Sequence, residues 1–155
     1  MAVFTKKYTH CFILVLIALL PLKTVLAADE ASLSFIPKSK DKPEEFSLVI
    51  AQADKIAGMK VILAYDEDLL VFKKAEKSRD TSSFLHVVND KKPGQVIIVM
   101  ASAKGVSGND LPLIHLSFQK RSNSTPDKCS VKVTQLQLMT ESLQELKANN
   151  PEYMF

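Results

Sequence analysis

The stretch IAGMKVILAYDEDLLVF, residues 56–72, decides the fold. Met59, Val61, Leu63 and Tyr65 fall on one side of an extended chain, and Lys60, Ile62 and Ala64 on the other. That two-residue period marks a strand with one face in a core. Asp66-Glu67-Asp68 breaks the pattern with residues that disfavour strands and form turns. Leu69 to Phe72 then resumes the apolar run. A strand, a corner and a second strand belong to a β-sandwich, and the stretch carries no catalytic chemistry of its own.

Working outward, the same alternation recurs. Ala31 to Ile36 places Leu33 and Phe35 on one side and stops at Pro37. Lys38 to Glu45 is charged and predicts a loop. Phe46 to Ala51 is the next strand, with Phe46, Leu48 and Ile50 inward, and Gln52 to Lys55 is a connector. Beyond the opening stretch, Lys73 to Ser83 predicts a solvated edge or loop, and Phe84 to Val88 a short strand. Asn89 to Gly94 is a turn in which Pro93 sets φ and Gly94 takes a positive φ. Gln95 to Ala103 is the most strand-prone run and reads as a central strand. Lys104 to Asp110 holds two of the four glycines and predicts a loop. In Leu111 to Lys120, Ile114, Leu116 and Phe118 point inward.

After the polar run Arg121 to Lys128, residues Cys129 to Leu138 form a strand whose phase flips near Gln135, the mark of a bulge. Leu136, Met139, Leu143 and Leu146 are spaced as a helical stripe. The all-β context favours a short strand from Leu143 to Lys147 instead. The expected organisation is a signal peptide over 1–27, a β-sandwich over 28–148 and a tail over 149–155. Eight or nine strands at a spacing of roughly 8–12 residues define an all-β sandwich or barrel.

The leader follows from Lys6 and Lys7, the apolar run Cys11 to Leu20, and the compact residues Val25-Leu26-Ala27. The run falls short of the roughly 20 residues of a spanning helix. Export to the periplasm or beyond is therefore expected. The net charge of +3 belongs to this segment, which holds Lys6, Lys7 and Lys23 and no acid. Without it, 17 of the 20 basic residues face 17 acidic ones. A neutral domain offers no basic face for nucleic acid and no polybasic cluster for an anionic membrane.

Cys129 is the one cysteine outside the leader, which excludes an intramolecular disulfide there. A hydrolase needs a nucleophile with a base, or paired acids in a cleft. His86 and His115 each occupy a mid-strand position that predicts the solvent face. With Cys129 they come from different strands, a poor basis for zinc. Asp66-Glu67-Asp68 lacks the spacing of a calcium loop, and Gly105 and Gly108 lack that of a phosphate loop. Neither an enzyme, nor a cofactor, nor a metal site is expected. Asn123-Ser-Thr fits a glycosylation sequon.

Taken in order, Ala57-Gly58, the strand into Tyr65-Asp66, Leu69-Leu70-Val71-Phe72, the Asn89 to Gly94 turn, the loop Ala101 to Gly108 and Leu113 to Lys120 resemble a cohesin module. The resemblance covers roughly residues 31–147. It implies a jelly-roll of about nine strands without catalytic activity. It further implies a dockerin-like protein partner held on one sheet face, with calcium belonging to the dockerin. Related carbohydrate-binding modules keep a sugar ligand in view, and an envelope structural or assembly role is a further alternative. Aromatic stacking platforms argue little for sugar: the chain has no Trp. With one module and no linker in these 155 residues, a scaffoldin is not expected. Lys60, Ile62, Ala64, Gln95, Ile97 and Val99 form the expected partner-binding face, rather apolar for a surface. Cellulosomal cohesins carry polar contact residues where this chain has Gly58, Lys60 and Ile62, so its partner differs from theirs.

Overall fold

Period-two alternation becomes eight strands in a computed structural model that describes residues 31–122 and 129–155. The leader 1–27 and the Asn123 sequon lie outside the described residues. The strands are β1 (Leu33–Ser39), β2 (Lys42–Tyr65), β3 (Leu70–Lys77), β4 (Leu85–Asn89), β5 (Gln95–Lys120), β6 (Ser130–Thr140), β7 (Glu145–Leu146) and β8 (Glu152–Met154). Every pairing between them is antiparallel.

Two long strands build both layers of the sandwich. In the first layer the order is β1, the first half of β2, the second half of β5, then β3. In the second it is β4, the first half of β5, the second half of β2, then β6, with β7 and β8 on the outer edge of β6. Phe46, Leu48 and Ile50 from one half of β2 and Met59, Val61 and Leu63 from the other enter one shared core. Burial of these apolar faces drives the closure, at about 25 cal/mol per Å² removed from water.

The connector Gln52–Lys55 and the loop Lys104–Asp110 are thus corrected: both lie inside the long strands. Each is polar, yet the two pair with one another, through Gln52↔Asn109, Ala53↔Gly108 and Ile56↔Val106. Register shifts on either side of Ile56 absorb the bend. Gly105 sits so tightly there that a Cβ would run into the Lys55 backbone. The Gly105 N–H donates to Glu141, whose backbone N–H in turn donates to the Lys55 carbonyl. This continuity is why eight strands replace the expected nine or so within the same jelly-roll sandwich.

Smaller differences have similar causes. The loop Lys38–Glu45 shrinks to the turn Lys40-Asp41, because Ser39 already pairs with Lys42. Pro37 is tolerated inside β1, an edge strand. The predicted phase flip in β6 is present: Gln135 pairs with Ile62 and Val133 with Leu63, leaving Thr134 extra, its hydroxyl donating to the Ile62 carbonyl at 3.1 Å. Residues 136–147 hold no helix; the end of β6, a turn and β7 occupy them. The tail 149–155 is corrected to structure. Asn149 exchanges hydrogen bonds with Leu33, at 2.6 and 2.9 Å. β8 pairs with β6, and Phe155 is buried against Phe46 and Tyr153.

At the Asp66 corner, Leu70 N–H donates to the Asp66 carbonyl at 2.8 Å and Asp68 N–H to its carboxylate at 2.9 Å. Arg121 clamps the corner from β5's end by donating to the Glu67 carbonyl. The Asp66 carboxylate is thereby engaged by the turn itself. Gly94 takes the predicted positive φ, 73°, and its carbonyl accepts from Tyr65 N–H at 3.0 Å.

Candidate docking face

The outward side of the second layer is a four-strand surface whose rows follow from the register. One row runs Leu85, Ala101, Gly58, Met139 across β4, β5, β2 and β6. The next runs Val87, Val99, Lys60, Gln137, and the third Asn89, Ile97, Ile62, Gln135. Gln95, Ala64 and Lys132 form a shorter fourth row. All six residues expected on a partner face therefore stand side by side, three on each of two paired central strands. Odd positions of β5 and even positions of β2 point out because Val61, Leu63, Val96 and Ile98 are completely buried beneath them.

Sequence reasoning missed the contribution of β4. Leu85 is 77% exposed, Val87 63% and Val99 41%, and they adjoin along two neighbouring strands. Together with Ile97 and Ile62 they give the face an apolar half. Gln135, Gln137 and Lys132 on β6 give it a polar half. Lys60 lies between the two, and among the described residues no carboxylate is within ion-pairing distance of it. The available signal was the alternation of Leu85 and Val87 in FLHVV, which is equally apolar in both phases.

That phase also corrects His86. It was expected on the solvent face, but it points to the inner side of β4, opposite Met100, with its Nε2 shut off from solvent and without a hydrogen-bond partner. Burial, and secondarily the nearby Lys77 ammonium, hold its imidazole below the ordinary histidine range. His115 is exposed, as expected. Cys129 is fully buried in the core.

His115 belongs to the outside of the first layer, where one arrangement has a catalytic look. Ser47 Oγ lies 2.7 Å from His115 Nδ1, and Glu76 is His115's register partner on the other side. Glu76, however, is engaged by Lys74 at 2.8 Å, and that hydrogen bond holds its carboxyl below the usual carboxylate range. Strand ladders flank His115 on both sides, so no backbone N–H converges there as an oxyanion hole demands. Among the described residues no group of three His, Cys, Asp or Glu is placed to hold a metal ion.

This layered arrangement has close counterparts among solved structures. The solution structure of CaCohA2 from Clostridium acetobutylicum superposes with a TM-score of 0.63 over 81% of this chain and 90% of that one, at 20% identity. The fold is the cohesin fold. A non-cellulosomal cohesin from the hyperthermophilic archaeon Archaeoglobus fulgidus matches with a TM-score of 0.59 at 18% identity, covering 81% of this chain and 88% of its own. The sixth cohesin of scaffoldin B from Acetivibrio cellulolyticus, solved in complex with a Cel5 dockerin, matches at 0.60 and 13% identity, covering 79% and 95%. No protein-family model and no curated protein matches the sequence. The cohesin-like domain is thus recognised through its architecture, with a sequence far from that of each cohesin named.

Proposed function

We propose that this chain is an exported, non-catalytic binding module that takes a dockerin-like protein on the outward face of β4, β5, β2 and β6. One observation carries the reading: in a cohesin fold, this face exposes a continuous apolar strip from Leu85 and Val87 to Val99 and Ile97. Exposed strips of this kind mark contact surfaces. Cohesins of the same fold have been solved with dockerins bound. Export rests on the basic and apolar pattern of residues 1–27. Non-catalytic action rests on Asp66 and Glu76 being engaged by the turn and by Lys74, and on Ser47 and His115 lacking an oxyanion hole.

The face supports a protein partner over a glycan. All eight aromatic residues outside the leader lie in the core or pack against it, leaving none to stack on a sugar ring. The partner differs from a cellulosomal dockerin because Gly58, Lys60 and Ile62 stand on β2 in place of a polar contact set.

Titration calorimetry against the dockerin-bearing proteins of the same organism tests this reading. A saturable one-to-one complex with one of them is expected, lost in Val99→Lys. Absence of any such complex, together with binding to soluble polysaccharide, would overturn it.

A further inference from the structure

Strand β4 pairs with β5 from Leu85↔Ala101 to Asn89↔Ile97 and has no partner on its other side among the described residues. A free edge offers unpaired N–H and C=O groups to any passing strand, and proteins guard such edges with charge, proline, bulges or brevity. The other edges here are guarded. β1 carries Pro37, Lys38 and a register shift. β3 carries Lys73, Lys74, Glu76 and Lys77, with a shift at Lys73. β7 and β8 are two and three residues long. β4 reads Leu-His-Val-Val-Asn, with no charge, no proline and an unbroken register. Its Leu85 and Val87 are the most exposed large apolar side chains of β4, β5, β2 and β6. Lys77 donates to the carbonyls of Ser82 and Phe84, just ahead of the strand.

We propose that the free edge of β4 pairs with β4 of a second copy, antiparallel about a two-fold axis at Val87. This register is self-complementary, as an isologous contact requires. Val87 meets the partner's Val87, and Leu85 meets the partner's Asn89. All five residues pair and no like charges face each other within the strand. Leu85, Val87 and Asn89 are exposed, and His86 and Val88 between them are half-buried toward the inner side. Two docking sheets then join into one, and both outward faces stay open. The pairing holds whether or not a dockerin-like partner is ever found.

Analytical ultracentrifugation of the purified chain over a concentration series, with amide hydrogen exchange at the highest concentration, tests the pairing. The expected result is a mass rising from one chain to two, with β4 amides gaining protection as it does. Val87→Lys and, independently, Leu85→Lys should hold the mass at one chain while circular dichroism stays unchanged. Val99→Lys, on the same face but on a central strand, should leave the two-chain species in place. A single chain at every concentration overturns the proposal. So does a two-chain species that survives Val87→Lys, or one lost in Val99→Lys, which would mean face-to-face contact. A foreign strand bound to β4 in place of the second copy also overturns it.

Discussion

His86 is the residue whose surroundings differ most from its chemistry. Its imidazole is half-buried on the inner side of β4, and burial keeps it below the usual histidine range near 6.5. The folded state therefore resists a proton that the unfolded chain accepts. Stability is full above the unfolded value, falls as pH drops through it, and levels off below the lowered folded value. Urea midpoints between pH 7.5 and 5 should decline in the wild type and decline less in His86→Leu. An equal decline in both would place the effect elsewhere. Gly105 is the other residue held by its neighbours. Gly105→Ala drives a methyl group against the Lys55 backbone at the bend of both long strands. Overpacking of this kind costs about 1–3 kcal/mol, readable as a lowered urea midpoint, whereas a neutral result would mean the bend shifts freely.

At the scale of elements, β8 is the least expected contributor. Three residues pair with β6, and Phe155 closes an aromatic group of Phe46, Tyr153 and Phe118, with the Lys120 ammonium 5.2 Å above the Phe155 ring. Phe155→Ala should cost about 3 kcal/mol, as deletions of buried aromatic rings do. A chain ending at Pro151 should lose at least as much in thermal or urea denaturation. A midpoint unchanged by both would show that residues 152–155 contribute no stability. The proposed docking face makes the opposite prediction. Val99→Lys changes a side chain that is already 41% exposed. It should leave stability within about 0.5 kcal/mol yet weaken docking by about 2 kcal/mol or more, as a central contact residue does.

For the whole molecule, charge balance sets how a partner is found. The domain beyond residue 27 is formally neutral. The candidate docking face joins an apolar half to a glutamine-rich half, with Lys60 and Lys132 as its cations. Affinity measured at low and high salt should differ by less than about tenfold, because one or two exposed charges are worth little once screened. A steep fall with salt would mean an electrostatic interface elsewhere on the surface.

Much of this architecture was legible in residue order. The alternation in Met59 to Tyr65, Phe46 to Ile50 and Ile114 to Phe118 assigned the core, because a strand's side chains must alternate whatever its neighbours are. Turn chemistry marked Asp66 and Gly94, since both act through their own backbone. That Lys60, Ile62, Ala64, Gln95, Ile97 and Val99 share one outward face followed from the same alternation. What only the tertiary structure decided were matters of pairing. Gln52–Lys55 and Lys104–Asp110 are polar and look like loops alone, but each supplies the other's hydrogen bonds. In FLHVV both phases are apolar, so only the register with β5 turned Leu85 and Val87 outward and His86 inward. The segment 149–155 is too short to hold a strand by itself; the open edge of β6 and the ring of Phe46 give it one. Local sequence determines which face of a strand is apolar, and long-range hydrogen bonding determines where the strand lies and which of its edges stays free.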